Sequence, residues 1–160
     1  MRESPLEYTD IVFDAKPDAV PYNYRISYKA SQLCLIMRIC GRGDVCSLIK
    51  LHMISFALIS QENMRKLLEY TDGTGTAPIV RFDPSVNRAL TYSIAYGLIE
   101  QQPNAKYKLT ERGHQLAEQI KIAGDLMVIE ICNLNLLAKK LTEAKVNEIV
   151  DMWRMKNADN

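Results

Sequence analysis

The stretch that most constrains this chain begins at Asp83-Pro84 and closes on Gly97-Leu98-Ile99. An aspartate side chain accepts a bond from an otherwise unpaired N–H of a first helical turn. A proline placed next has no N–H to leave unpaired, so the pair is a strong helix start. Val86, Ala89 with Leu90, Ser93 with Ile94, and Gly97 with Leu98 then recur at three-to-four spacing and define an inward face. Asn87, Arg88, Thr91, Tyr92 and Ala95 fall on the opposite side. Glu100 to Leu109 reads as two short strands around a Pro103-Asn104 turn. Thr110 is placed to cap a following helix that buries Leu116 and Ile120. Helix, two-stranded hairpin and capped helix in this order predict a winged helix-turn-helix: a mostly α (α+β) fold with a short β-wing and, beyond it, a C-terminal helical extension.

The rest of the chain is organised around that unit. Residues 1–24 mix Pro5, Pro17 and Pro21 with Asp10, Asp14 and Asp18 around one apolar knot, Ile11-Val12-Phe13, and read as an extended N-terminal arm. Such an arm either packs on its own domain or adds a strand to a partner's sheet edge. The winged-helix core is expected over 25–123 and the extension, packed on the core, over 124–160. From Ile26 to Cys40 the sequence is apolar nearly all round, as a central core helix is, and Gly41-Arg42-Gly43-Asp44 ends it. A second apolar helix is expected from Val45 to Ile59, with Cys46, Ile49, Met53 and Phe56 at helical spacing. Ser60 caps a short helix that turns Met64, Leu67 and Leu68 inward. The run Asp72-Gly73-Thr74-Gly75-Thr76 is not a phosphate loop, since it lacks the Gly-Lys-Ser/Thr end and leads to Ala77-Pro78 and an expected strand over Ile79–Phe82. Residues 125–138 are ambiguous between helix and strand periods. Thr142 caps a last helix in which Val146, Ile149, Val150 and Trp153 share a face, with Leu141 and Val146 matching a hydrophobic staple. Trp153 is either a core anchor or a partner contact, a role in which tryptophan is enriched.

Chemistry is sparse. Cys34, Cys40, Cys46 and Cys132 contain no CxxC pair, and only His52 and His114 are available to complete a metal shell, so no metal or cofactor is expected. The thiols read as buried and reduced, which fits a cytoplasmic protein. The chain shows no signal-peptide pattern and no membrane-length apolar run, so a membrane role is not expected. No nucleophile with a base and no paired carboxylates stand out. Asp83 is a cap, Glu130 and Glu143 are helix-surface acids, His52 is a packed or surface residue and His114 is solvated, so an enzyme is not expected. Lys plus Arg total 20 against 19 for Asp plus Glu. Duplex DNA carries dense negative charge, so a near-neutral chain with only Arg88, Lys106 and Lys108 on the DNA-facing side should bind it weakly.

Arg81-Phe82-Asp83-Pro84, Arg88-Ala89-Leu90, Gly97-Leu98-Ile99, Tyr107-Lys108-Leu109-Thr110 with Gly113, and Leu141-Thr142-Glu143-Ala144-Lys145-Val146 resemble the middle component of ABC-three-component (ABC-3C) systems, which include Lamassu-type anti-phage and anti-plasmid defence operons. The resemblance spans roughly Tyr24 to Trp153. It implies a non-catalytic subunit that bridges an SMC/Rad50-like ABC ATPase and an effector nuclease, touching DNA only through the assembled complex. The candidate partner-binding residues are Ile11, Val12, Phe13, Arg88, Tyr92 and Trp153. The alternative is a winged-helix transcription regulator of the MarR or PadR kind.

Overall fold

The structure, a computed structural model, describes residues 22–158. The arm's apolar knot, Ile11, Val12 and Phe13, lies outside the described residues. Helix α1 (Tyr22–Cys40) begins inside the stretch assigned to the arm and runs through the middle of the molecule. Five consecutive residues, Leu33 to Met37, are fully buried, which only a helix surrounded on all sides achieves. Helices α4 (Pro84–Ala95), α5 (Glu111–Ala123) and α6 (Val128–Leu137) pack directly on it. Helices α2 (Leu48–Ala57), α3 (Gln61–Thr71) and α7 (Glu143–Ala158) complete the helical set.

The end of α1 is held by other parts of the chain. Gly41 is required there, because a Cβ would stand 2.5 Å from Met37 O and 2.8 Å from Val45 O. Lys50 Nζ donates to Cys40 O at 2.9 Å, and Lys139 Nζ donates to Gly41 O at 2.6 Å. Two ammonium groups thus meet carbonyls at the negative end of the helix dipole, which is how a lysine as buried as Lys50 is accommodated.

Two sequence expectations fail here. Val45 and Cys46 form a strand, β1, and not the first turn of a helix; α2 starts only at Leu48, where Ser47 Oγ accepts from Lys50 N at 3.2 Å. Gly43 and Asp44 both adopt positive φ and turn Val45 into extended backbone, and the Ser47 cap outweighs the apolar periodicity around it. β1 pairs antiparallel with β3 (Tyr107–Leu109), which pairs with β2 (Ile99–Gln101), so the sheet has three strands in the order β1-β3-β2. The second failure is Ile79–Phe82, which is irregular and not a strand. This segment pairs with none of the three strands, and its side chains are left largely in solvent, Ile79 77% and Phe82 53% exposed.

The remaining starts and stops follow the sequence. Asp83 Oδ1 accepts from Ser85 N at 2.9 Å, Thr110 Oγ1 from Gly113 N at 3.2 Å, and Thr142 Oγ1 from Lys145 N at 3.2 Å. The ambiguous stretch is helix α6, and Leu134, Leu137, Leu141, Val146 and Ile149 belong to the same core as α1. Of the four thiols, Cys34, Cys40 and Cys46 are buried, and burial pushes each up to about 12. Cys132 departs from the expectation and is exposed on α6. Among the described residues no helix is long and apolar enough to cross a membrane.

Candidate functional site

Helix α4 carries the predicted contact residues. Val86, Ala89, Leu90 and Ser93 are buried as expected, whereas Ile94, placed inward by the sequence, is 41% exposed. One residue beyond Ser93 is a rotation of about 100°, enough to carry Ile94 off the buried stripe. On the outer side Arg88, Tyr92 and Tyr96 succeed one another at intervals of four and form a continuous row. The Tyr92 and Tyr96 rings stack with centroids 4.4 Å apart. Burial, and then Tyr96, push the Tyr92 hydroxyl above its ordinary value. Sequence reading named Arg88 and Tyr92 and missed Tyr96, although its four-residue step from Tyr92 was visible.

The β2-β3 hairpin is the second candidate surface. The hairpin closes through Gln102 N donating to Lys106 O at 2.8 Å, with Ala105 at positive φ in the turn. Lys108 is exposed, but strand register sets it opposite Glu100 on β2 and Val45 on β1. Asp44 and Glu111 line the same shallow cleft. An exposed lysine among three carboxylates gives little net attraction for a phosphate backbone, and Lys106 is half-buried. Next to this cleft His114, expected to be solvated, is half-exposed with Nδ1 2.8 Å from Asp44 Oδ2. Arg38 reaches Glu118 at 2.7 Å and Asp44 at 3.6 Å, tying α1 to α5 and to the turn before β1.

At the other end of α4 the aromatic side chains converge. Phe82 stacks on His52 with centroids 4.5 Å apart and an interplanar angle of 8°, and Trp153 meets Phe82 edge-on at 6.5 Å. Trp153 is half-buried against the core, so it holds the end of α7 while leaving part of the indole in solvent. His52 is buried, with Nε2 3.3 Å from Asn87 Oδ1, and desolvation lowers its pKa. Sequence reading left His52 as packed or on the surface; an apolar helix all round it was the available signal for burial. Glu143 is not simply a surface acid either, since Ser47 N donates to its Oε2 at 3.0 Å.

Arg88 and Tyr92 are therefore together on one row, Trp153 lies across the aromatic cluster, and Lys106 and Lys108 sit on the β2-β3 hairpin. Among the described residues no group of three or more His, Cys, Asp or Glu side chains is arranged to hold a metal ion. Comparison of the chain with protein-family models, with curated proteins and with solved structures finds no match.

Proposed function

We propose that this chain is a winged-helix domain acting as a non-catalytic subunit that bridges an SMC/Rad50-like ABC ATPase and an effector nuclease in a defence complex. The strand order β1-β3-β2, with α4 leading into the β2-β3 hairpin and α5 following it, supports the winged-helix part. The observation that carries the interaction part is the outer row of α4. Tyrosine and arginine are enriched at the centres of protein interfaces, and Arg88, Tyr92 and Tyr96 supply them in one line. Lys108, set among Asp44, Glu100 and Glu111, supports DNA contact only within the assembly.

The test is co-expression of the chain with the ATPase and nuclease encoded beside it. Wild-type protein is expected to co-purify with both, and Arg88→Glu combined with Tyr92→Ala to lose the complex while keeping its far-UV circular dichroism. Isolated protein is expected to bind duplex DNA no better than roughly 10⁻⁴ to 10⁻⁶ M at physiological salt.

One observation favours the second reading, a MarR- or PadR-type regulator. The outer side of α6 presents Ile129, Cys132 and Leu136 without a charge, a surface suited to pairing with a second copy. A homodimer that shifts its own promoter at nanomolar concentration selects the regulator and ends the bridging reading.

A further inference from the structure

Helix α6 buries Asn133, Leu134 and Leu137 and turns its other side to solvent. The residues it exposes are Val128, Ile129, Cys132, Asn135 and Leu136. Successive helical residues stand about 100° apart, so these fall within an arc of about 120° whose middle is Cys132. Ile129 is 66% and Leu136 60% exposed, and Ile122, on the last turn of α5 just before this helix, is 81% exposed. No charge interrupts the face. The one charged residue of α6, Glu130, lies off it and accepts from the Tyr28 hydroxyl. A contiguous aliphatic face on a small domain marks an interaction surface.

The polar groups around the face point to a second copy of this chain as what covers it. A different protein is oriented by complementary charges and hydrogen bonds, and the face itself offers only Asn135 for that purpose. A copy related by a two-fold axis meets the same residues in reverse order, and a chargeless patch does so without like-charge repulsion. With the axis beside Cys132, antiparallel helices set Ile129 opposite Leu136 of the second copy, and Leu136 opposite its Ile129. The charges just beyond the face agree with that direction. Asp125 is exposed before α6, and Lys139 and Lys140 are exposed after it. Antiparallel pairing brings acid towards base at both ends, whereas parallel pairing brings like towards like. Lys140 already stands 3.2 Å from Asp72, but its exposed ammonium has further protons to donate. Antiparallel helix dipoles also attract.

We propose that two copies of this chain pair antiparallel through α6, with Cys132 of each beside the axis. A helix of 10 residues is about 15 Å long, and a face of that length covers roughly 300–400 Å² per copy, about half of a standard interface. The dimer is therefore weak and exchanging, with a Kd on the order of 10–100 µM. The pairing goes beyond the bridging reading and uses no residue of the Arg88-Tyr92-Tyr96 row. Nor does it select the regulator, which must also shift its promoter.

The experiment is sedimentation equilibrium of the full chain under reducing conditions, from about 2 to about 500 µM so as to bracket that Kd. The weight-average mass is expected to rise from 18.2 kDa towards twice that value. Ile129→Lys and Leu136→Glu, each alone, are expected to raise the Kd at least tenfold, with circular dichroism unchanged because both side chains are exposed. Mixed in equal amounts, the two variants are expected to associate about tenfold more tightly than either alone, since antiparallel pairing sets the introduced lysine against the introduced glutamate. Parallel pairing gives no such recovery, and its absence overturns the proposal. So does a rise in mass that neither substitution weakens, which places the contact on another face. A chain monomeric throughout the range overturns it as well: slow labelling of Cys132 then assigns the face to another part of the chain, and fast labelling to a different protein. These masses do not depend on the ATPase or the nuclease, so the pairing and the bridging reading fail separately.

Discussion

Gly113→Ala puts two ordinary rules in conflict, and the structure decides between them. Inside a helix, alanine is favoured over glycine by about 1 kcal/mol, so propensity alone makes the variant more stable. Gly113, however, lies where α5 is pressed against the chain leaving α4. A Cβ there falls onto the carbonyl oxygen of Leu98 and stands 2.9 Å from Leu109 Cδ2. The carbonyl has no room to retreat. Leu98 N donates to Ser93 O at 2.8 Å, its own oxygen accepts from Thr110 N at 3.0 Å, and Ile99 next to it is already paired with Leu109. Overpacking against fixed backbone costs about 1–3 kcal/mol, and displacing the Thr110–Leu98 bond costs about 1 more. The sum exceeds the propensity gain, and the expected net loss is about 2 kcal/mol, or roughly 4–8 °C in melting temperature for a domain of this size. Urea unfolding followed by circular dichroism measures it, with exposed Gln115→Ala on the same helix as a control expected within about 0.5 kcal/mol of the parent. A Gly113→Ala protein as stable as the parent refutes the close approach of α5 to Leu98.

Other perturbations read other parts of the fold. Trp153→Ala is expected to cost about 1.5–2.5 kcal/mol in urea unfolding, roughly half of what truncating a fully buried aromatic costs, because the indole is half-buried; a loss below about 0.5 kcal/mol removes its anchoring role. Thiol labelling of native protein is expected to modify Cys132 quickly, and Cys34, Cys40 and Cys46 only on unfolding, since burial keeps those three protonated and covered; a second fast thiol refutes the packing around α1. His52 has a folded pKa below its ordinary 6.5, so the unfolded chain binds the extra proton first on acidification. Its contribution to stability is complete above that ordinary value and declines as pH falls below it towards the folded pKa. His52→Asn is expected to flatten this part of the stability profile, and a slope unchanged by the substitution assigns it to another group.

What was legible in the sequence was what local chemistry decides. Asp83-Pro84, Ser60, Thr110 and Thr142 each announced a helix start, because a cap is made by neighbours in sequence. The β2-β3 hairpin was visible for the same reason. β1 was not, because two residues become a strand only when a partner passes, and that partner lies more than sixty residues away. The same non-locality hid the roles of Glu143 and His114, whose partners Ser47 and Asp44 are remote in sequence. Ile79–Phe82 erred in the opposite sense: β-branched and aromatic residues gave it strand character, but strand character becomes a strand only beside a partner, and the fold pairs this segment with none. Arg88 and Tyr92 were readable as an exposed row from helical spacing alone.

The chain's near-neutral total conceals how its charge is arranged. At the β2-β3 hairpin, Lys108 faces Glu100 and is joined by Asp44 and Glu111, so this surface is locally balanced or acidic. At the start of α4, Lys29, Arg81 and Arg88 gather. Asp83 lies among them and stays ionised, since its bonds to Ser85, and then the charges of Lys29 and Arg88, hold its pKa below the ordinary value, and Glu130 also acts on Lys29. Both ends of α4 are therefore close to charge balance, and neither supplies the net positive field that a phosphate backbone requires. Arg88 is also the first residue of the Arg88-Tyr92-Tyr96 row, so its guanidinium is placed for a planar, hydrogen-bonded contact beside aromatic rings, which is the chemistry of a protein partner.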